Sequence, residues 1–391
     1  MYKKLSLWGC THAQKGCIPC QKESLTAKPI QGSRSNRRKF LGSALGLASS
    51  VGVGEALIGG LGSLGVLGSL PSWAQTTSAP LIDTHYHFYP PEYLKAWMDY
   101  EDQRHIPHFP QVQSWTLESA MKAMDQAGVT KAILSLASTP GVWFDWSTPE
   151  INRMVKLVND YGARVVKEHP GRFGLFAALT MLDVPSTLKE IDYAFDVLGA
   201  YGVGLQTNYG DKWPGHPDFA PIFAELNRRK AVVYFHPLAA ACCARLPIGT
   251  YPAVIEVPHD TTRAVLNLLL SGSLAKFRDI KWIFSHGGGT IPMLAGRINF
   301  FQGNAKNIAQ IAPNGIEAEF RRLYYDTANA THPAAMAALL KLVPSSQVLY
   351  GSDYPYVPMD LQAQALSDLG LGVDVVQQIR HTNTEHLLAK P

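Results

Sequence analysis

The stretch Leu81-Ile82-Asp83-Thr84-His85-Tyr86-His87-Phe88 is a short apolar run that carries two histidines, one residue apart, at its end. Side chains at positions i and i+2 of a β-strand point to the same face of the strand. If this run is a strand, the imidazoles of His85 and His87 can reach a single metal ion. The alternative interpretation is that both histidines lie exposed in a loop. The residues in the rest of the chain are needed to distinguish this from a metal site.

Eight runs of this kind follow one another after residue 80, each short and rich in apolar, β-branched or aromatic residues. They are Leu81–Phe88, Val129–Ala137, Phe173–Thr180, Gly202–Tyr209, Ala231–Pro237, Ile280–Gly287, Leu323–Asn329 and Val348–Pro355. Stretches with an apolar period near that of a helix separate them. This alternation predicts a (β/α)8 TIM barrel. A doubly wound open sheet is the alternative, but the sequence after residue 80, where the eight runs lie, has no Gly-x-Gly-x-x-Gly phosphate loop.

Two long segments are expected to form loop insertions over the C-terminal mouth of the barrel, where active sites of this fold lie. Residues 89–116 show little periodicity, and residues 238–260 follow the fifth predicted strand. The helix after the second segment is predicted at Thr261–Phe277, and a further helix-like stretch is predicted at Ile291–Ile311.

The charge of the 391-residue chain is unevenly distributed. The formal net charge is +4, yet residues 1–74 hold nine Lys or Arg and only two acidic residues, which leaves 26 basic and 29 acidic residues in the remainder. The folded part is therefore slightly acidic and carries no nucleic-acid signature. Only the adjacent Cys242 and Cys243 follow residue 74, so a disulfide framework is not expected in the folded part.

Residues 1–74 are interpreted as an export leader. Ser35-Asn36-Arg37-Arg38-Lys39-Phe40-Leu41 resembles a twin-arginine motif, an apolar stretch follows it, and Ser72-Trp73-Ala74 fits a cleavage site. The prediction is export by the Tat translocase to the periplasm or outside the cell. The mature barrel would span residues 75–391 and keep no membrane anchor. A retained transmembrane anchor is the alternative, because the apolar stretch is long enough to span a bilayer.

Ligand-type residues end several of the predicted strands. His236 ends the fifth, His286 the sixth and Asp353 the eighth, in addition to the two histidines of the first. In a closed barrel these ends meet at one mouth. Each residue alone is more often an ordinary core residue, but together they form a mixed nitrogen and oxygen site suited to zinc or another divalent ion.

This arrangement resembles the amidohydrolase superfamily, with His-x-His after strand one, a histidine after strands five and six, and an aspartate after strand eight. The fourth run continues into Gln206-Thr207-Asn208-Tyr209 and does not end in a lysine. The resemblance therefore implies one metal ion, because the lysine whose carboxylated form bridges two ions is missing.

The resemblance is closer to one branch of that superfamily, the aminocarboxymuconate-semialdehyde decarboxylase-related enzymes. It rests on residues 85–93 (His-Tyr-His-Phe-Tyr-Pro-Pro-Glu-Tyr), 285–289 (Ser-His-Gly-Gly-Gly) and 351–355 (Gly-Ser-Asp-Tyr-Pro). Residues 209–213 and the loop around the two adjacent cysteines are similar to the 6-methylsalicylate decarboxylase-like members. In all, the resemblance covers about residues 80–388.

The resemblance implies one divalent metal ion, zinc or else manganese, held by His85, His87, His236 and Asp353. His286 would act beside it as an acid or base or as a further ligand. The implied activity is that of a carboxy-lyase, which removes CO2 without oxidation from a small aromatic or unsaturated acid such as 6-methylsalicylate or a hydroxybenzoate. Asp353 or His286 would protonate the carbon that loses CO2.

Arg297, Trp213 and Arg104 are candidate substrate contacts. Arg297 matches an arginine that dimers of the family lend across their interface, so a homodimer is implied. The alternative for each arginine is a surface salt bridge, and for Trp213 an ordinary loop position. Two other functions stay open: a hydrolase of a lactone or amide, because the same ligands can activate water, and a metal-binding protein without catalysis.

Overall fold

The computed structural model describes residues 80–140, 145–245 and 249–389. These residues form one sheet of eight parallel strands, in which each strand pairs with the next along the chain. The strands are β1 (Ile82–His87), β2 (Lys131–Ser135), β3 (Phe173–Ala178), β4 (Gly202–Gln206), β5 (Val232–His236), β6 (Lys281–Phe284), β7 (Tyr324–Asp326) and β8 (Val348–Leu349).

The segment that follows β8 closes the sheet against β1. The backbone amides of Thr84 and His87 donate to the carbonyls of Tyr350 and Tyr354, each at 2.9 Å, and the amide of Asp353 donates to the carbonyl of His85 at 2.9 Å. The predicted (β/α)8 TIM barrel is therefore confirmed.

Helices connect the strands on the outside of the barrel. They are α1 (Pro91–Gln103), α2 (Pro110–Gln113), α3 (Leu117–Ala127), α4 (Thr148–Glu168), α5 (Val184–Asp192), α6 (Ala220–Arg228), α7 (Pro252–Leu270), α8 (Ser273–Lys276), α9 (Ile291–Gln302), α10 (Ile308–Ile311), α11 (Ile316–Arg321), α12 (Pro333–Leu342), α13 (Met359–Ser367), α14 (Val373–Gln377) and α15 (Asn383–Leu388). Shorter 3₁₀ turns or π-type segments lie at Tyr193–Val197, Pro217–Phe219, Ala241–Arg245, His286–Gly288, Ser345–Gln347 and Gln378–Thr382.

Most strands are rich in apolar residues because both of their faces are buried, whereas β1 carries the polar side chains that build the site. One face packs against the surrounding helices in a large apolar core. The other face fills the barrel interior with a separate cluster, formed by Ile133, Phe176, Val232, Tyr234, Ile283 and Leu349. The ring of Tyr234 lies 5.5 Å from the ring of His85, so this inner cluster forms the floor beneath the histidines.

The segment 89–116 differs from the expectation of an aperiodic loop, because it contains helices α1 and α2. The buried positions of α1 are Tyr93, Trp97 and Glu101, which recur every four residues on one helix face. Because the third of these buried residues is the glutamate, a search for regularly spaced apolar residues does not detect this helix face. The rings of Tyr93 and Trp97 pack on Tyr89, so the helix covers the end of β1 with aromatic side chains.

The expected loop 238–260 is also shorter than predicted. Helix α7 begins at Pro252, nine residues before the predicted start, and it contains Pro258. A proline inside a helix usually ends it, which is why the sequence pattern placed the boundary beyond this residue. The helical stretch predicted at Ile291–Ile311 is interrupted after Gln302 and resumes as α10.

The predicted leader, residues 1–74, lies outside the described residues, and the twin-arginine interpretation stays a prediction. Within the ranges that the structure describes, no helix combines the length and the apolar character needed to cross a membrane.

Candidate metal centre

Four of the predicted ligands meet at the C-terminal mouth of the barrel. His85 and His87 end β1, His236 ends β5, and Asp353 follows β8. Each offers one ligand atom, these atoms all lie within 4.8 Å of one another, and all four residues are buried. The alternation of side chains along β1 brings the first two to the same face, as the sequence predicted.

The separations fit the coordination shell of one ion. The Nε2 atoms of His85 and His87 lie 3.2 Å apart, and each lies 3.2 Å from Oδ1 of Asp353. Donor atoms about 2.1 Å from a common divalent ion are about 3.0–3.4 Å from each other. In addition, the Nδ1 atoms of His236 and His286 are buried without a hydrogen-bond partner among the described residues. The donor set therefore suits a metal ion.

The electrostatics of the site also favour a cation. Burial lowers the pKa of His87 and, together with the neighbouring imidazoles, lowers the pKa of His236 well below its usual value, so both are neutral as metal ligands must be. Burial alone would raise the pKa of Asp353, but His85 and hydrogen bonds from the histidines hold it well below its usual range. Burial opposes a charge on His85, yet Asp326 and Asp353 raise its pKa to about 10. The two carboxylates thus attract positive charge.

Asp326, which the sequence analysis did not single out, fixes the orientation of His85. Its Oδ2 accepts a hydrogen bond from Nδ1 of His85 at 2.9 Å, and its Oδ1 accepts the backbone amides of His286 and Ala328 at 3.0 Å. A carboxylate on the far nitrogen of a ligating histidine holds the tautomer that exposes Nε2 to the metal. Asp326 ends β7, so the search for ligand-type residues at the ends of predicted strands could also have identified it.

Asp326→Asn is expected to weaken metal binding about 10–100-fold, the usual cost of losing such an outer partner. The asparagine has only one acceptor oxygen, so it cannot serve both His85 and the backbone amide of His286. The measurement is the dissociation constant of the divalent ion by competition with a chelator. An unchanged constant would show that Asp326 has only a structural role.

Asp83 is a third buried carboxylate near the site, after Asp353 and Asp326, and it lies at the seam where the barrel closes. Its Oδ1 accepts the backbone amides of His85 and Ser352, both at 3.0 Å. Burial raises its pKa to about 7. It therefore fixes the backbone next to two of the ligands, His85 and Asp353, without contacting the ligand atoms in the described structure.

His286 lies beside the four ligands. Its Nε2 is 3.5 Å from Oδ2 of Asp353, and its ring is 4.9 Å from the ring of His85. The backbone takes a positive φ of 54° at His286 and stays in the positive range at the next three glycines. At Gly288 a Cβ would lie 2.5 Å from the ring of Tyr325, so glycine is required where the chain turns tightly out of the barrel.

The three candidate substrate contacts have neighbours other than the metal ligands. Arg104 pairs with Asp145 and stacks on Tyr100, and Arg297 lies exposed on α9 over the ring of Phe301. Trp213 is half-buried in the loop after β4. No hydrogen bond, ion pair or ring contact of the described residues joins any of the three to a ligand, and their roles stay predictions.

Aromatic side chains line one side of the mouth. The ring of Tyr356 packs edge-on against His87 at 5.8 Å and against Phe109 at 5.1 Å, and Phe109 in turn contacts Tyr251 at 5.8 Å. The hydroxyl of Tyr89 donates to that of Tyr356 at 2.9 Å. We call Tyr356, Phe109 and Tyr251 the aromatic wall. It joins the segment 89–116 to the start of α7 beside the metal site.

Together, the barrel and its cluster of three histidines and one aspartate define a metal-dependent TIM-barrel protein. A sequence profile described as Amidohydrolase matches residues 82–390, and the chain belongs to that family.

Its relatives include several named decarboxylases. Decarboxylase yanB of Aspergillus niger is 38% identical in an alignment of 291 residues that covers 71% of this chain and 78% of the relative. The 6-methylsalicylic acid decarboxylase of Penicillium expansum is 33% identical over 282 residues, 71% of this chain and 86% of the relative. The crystal structure of dihydroxybenzoic acid decarboxylase from Polaromonas sp. JS666, with bound manganese, superposes with a TM-score of 0.69 at 21% identity and covers 79% of this chain and 96% of that one.

Proposed function

We propose that this protein is a metal-dependent, non-oxidative decarboxylase of a small aromatic carboxylic acid of the 6-methylsalicylate or hydroxybenzoate type. The observation that carries the proposal is the buried His85, His87, His236 and Asp353 cluster with His286 beside it. Relatives that are 38% and 33% identical to this chain over the aligned residues are named decarboxylases. The prediction of a carboxy-lyase is confirmed by them, in preference to a hydrolase of lactones or amides.

The four ligands would hold one divalent ion through histidine nitrogens and Oδ1 of Asp353. A bound ion supplies Lewis-acid chemistry that binds the carboxylate and an ortho hydroxyl of the substrate and so fixes the ring. Zinc suits a site rich in imidazole, and manganese is the alternative because the Polaromonas enzyme binds it.

The remaining chemical task is proton transfer. When CO2 leaves, a proton must take its place on the ring carbon, and the electrons of the broken C–C bond return to the ring. Oδ2 of Asp353 and Nε2 of His286 lie 3.5 Å apart, so this pair can share a proton and deliver it to the carbon. A buried site also limits access of water to the reacting atoms.

The aromatic wall supports an aromatic substrate. Rings in edge-on or stacked contact contribute about 0.5–1.5 kcal/mol per pair beyond their buried area. A planar substrate between the wall and the ligands would gain such contacts with Tyr356. Trp213 would add a further ring, and Arg104 and Arg297 would serve as cations for the substrate carboxylate.

The direct test is a screen of metal-loaded protein against 6-methylsalicylate, hydroxybenzoates and dihydroxybenzoates, with CO2 release and phenol formation as readouts. We expect at least one ortho-hydroxylated acid to be converted, and benzoate without the hydroxyl to react far more slowly. Ring opening of lactones, with no CO2 from any acid, would favour the hydrolase instead.

We also propose a homodimer. Helix α9 exposes Met293, Phe300 and Phe301, which are 75%, 77% and 61% accessible, and Arg297 lies among them. Exposed apolar patches of this kind often mark interfaces between proteins. Light scattering of the purified protein should give the mass of two chains, and the double variant Phe300→Ser, Phe301→Ser should lower it to one.

Export through the Tat translocase to the periplasm or beyond completes the proposal. It rests on the twin-arginine stretch and the cleavage signal before residue 75. Fractionation of cells that express the full chain should find a shortened protein outside the cytosol. A substitution of both Arg37 and Arg38 by lysine should leave an uncleaved chain in the cytosol.

A further inference from the structure

A chain of hydrogen bonds leads through the loop after β7 to the carboxylate of Asp353. Oγ1 of Thr331 donates to Oε1 of Gln362 at 3.0 Å, and Nε2 of Gln362 donates to Oδ1 of Asn329 at 3.2 Å. Nδ2 of Asn329 then donates to Oδ2 of Asp353 at 2.7 Å. Thr331 and Gln362 are buried, so two of the three donors are anchored in the protein interior.

The direction of this chain follows from the chemistry of its last member. A carboxylate only accepts hydrogen bonds, so Asn329 must turn its NH2 group to Asp353. Its oxygen then faces Gln362, which must present its own NH2 group, and the remaining oxygen of Gln362 accepts the hydroxyl of Thr331. Every donor therefore points toward Asp353, and the amide of Asn329 is fixed in one orientation.

The two oxygens of Asp353 consequently have different surroundings. Oδ1 lies 3.2 Å from Nε2 of both His85 and His87, whereas Oδ2 is held by Asn329 and faces His286 at 3.5 Å. The carboxylate torsion of aspartate is soft and roughly two-fold, so the side chain does not choose this orientation by itself. The short bond from Asn329 selects it.

The backbone conformation at position 329 also favours asparagine. Its φ is 53°, in the left-handed region that glycine, asparagine and aspartate visit most readily. This turn directs the side chain back over the mouth after β7 ends at Asp326. Asparagine is the residue that combines this backbone conformation with a neutral donor.

We propose that Asn329 is a positioning residue that holds Asp353 with one oxygen toward the metal ligands and the other toward His286. Loss of the donor lets the carboxylate turn, which weakens the ligand set and displaces the oxygen that shares a proton with His286. The inference rests on the proposed decarboxylation for its kinetic readout, while the metal-affinity readout is independent of it.

The test uses Asn329→Asp and Asn329→Gly, both of which tolerate the positive φ. Asn329→Asp keeps the shape but replaces the donor by a like charge, and Asn329→Gly removes the side chain. The control is Asn304→Asp, which adds the same charge at an exposed site after α9. The readouts are the dissociation constants of Zn²⁺ and Mn²⁺ by chelator competition, kcat and KM at saturating metal, and the melting temperature.

We expect both Asn329 variants to bind metal about 10–100-fold more weakly, as for other outer partners of ligands. We also expect kcat to fall more than KM changes, and Asn304→Asp to match the wild type. Gln362→Leu should shift the metal constant in the same direction by a smaller factor.

Wild-type metal constants and kcat in both Asn329 variants would overturn the proposal, as would a lower melting temperature with unchanged metal constants. If the wild type binds metal but releases CO2 from no acid, the proposed function fails, and the comparison of metal constants still tests Asn329.

Discussion

Asp353→Asn is expected to lower kcat for decarboxylation by about 10³-fold, within the 10²–10⁴-fold range of a lost acid or base. Both oxygens of Asp353 are engaged, Oδ1 near the β1 histidines and Oδ2 with Asn329 and His286. An asparagine can offer an oxygen on one side only. Its NH2 group would face either the metal ligands or the donor of Asn329, and it cannot carry the proton.

The measurement is kcat and KM with saturating metal, together with the metal content of the purified variant. Asp368→Asn is a matched control, because Asp368 is an exposed aspartate at the end of α13 whose carboxylate accepts a hydrogen bond from the side chain of Gln364 at 2.7 Å. It should keep wild-type kinetics. A metal-loaded Asp353→Asn enzyme with wild-type kcat would rule out a catalytic role for this carboxylate, and retained metal with lost turnover would assign it to proton transfer.

The barrel and the ligand cluster could be predicted because both follow from simple periodicities. Alternation places His85 and His87 on one face, and parallel strands bring the ends of β1, β5 and β8 to one mouth. Asp326 obeys the same rule at the end of β7, and it escaped notice because a single aspartate after two tyrosines has no motif around it.

Other features depend on contacts that no sequence pattern contains. Asn329 reaches Asp353 only because its backbone takes a left-handed turn. In helix α1, Glu101 packs inward beside Trp97, and burial raises the pKa of the Glu101 carboxyl. An ionisable residue therefore occupies a position where the helix pattern predicts an apolar one. Helix α7 continues through Pro258, and this proline displaced the predicted boundary. At Glu101 and Pro258 the tertiary environment overrides the local preference.

Gln206, at the position where a bridging lysine would end β4, bears on how many ions the site holds. With its amide oriented by its partners, it donates to the carbonyl of Ala137 and accepts the amide of Thr139, both at 3.3 Å. It therefore ties β4 to the segment after β2 and is not free to act as a ligand. Among the described residues, the acidic and histidine side chains that group as metal ligands form one cluster.

Removal of the metal is therefore expected to abolish decarboxylation, and one equivalent of a divalent ion per chain is expected to restore it. The chelator-treated protein should lose all measurable turnover, since no ion would be present to hold the substrate carboxylate and hydroxyl in place. Titration with Zn²⁺ or Mn²⁺ should recover activity along a line that breaks at one equivalent. A break at two equivalents would contradict the single-ion site.

Metal should also stabilise the fold, which gives a readout that is independent of turnover. A ligand present at 100 times its dissociation constant stabilises the native state by about 2.7 kcal/mol. The melting temperature should therefore rise when metal is restored, and the rise should vanish in His236→Ala, which removes a ligand from β5 but leaves the inner core residue Tyr234 in place. Of Zn²⁺ and Mn²⁺, we expect the native cofactor to be the ion that gives both the larger rise in melting temperature and the higher kcat. Activity that survived exhaustive chelation would contradict a metal-dependent reaction at the His85, His87, His236 and Asp353 cluster.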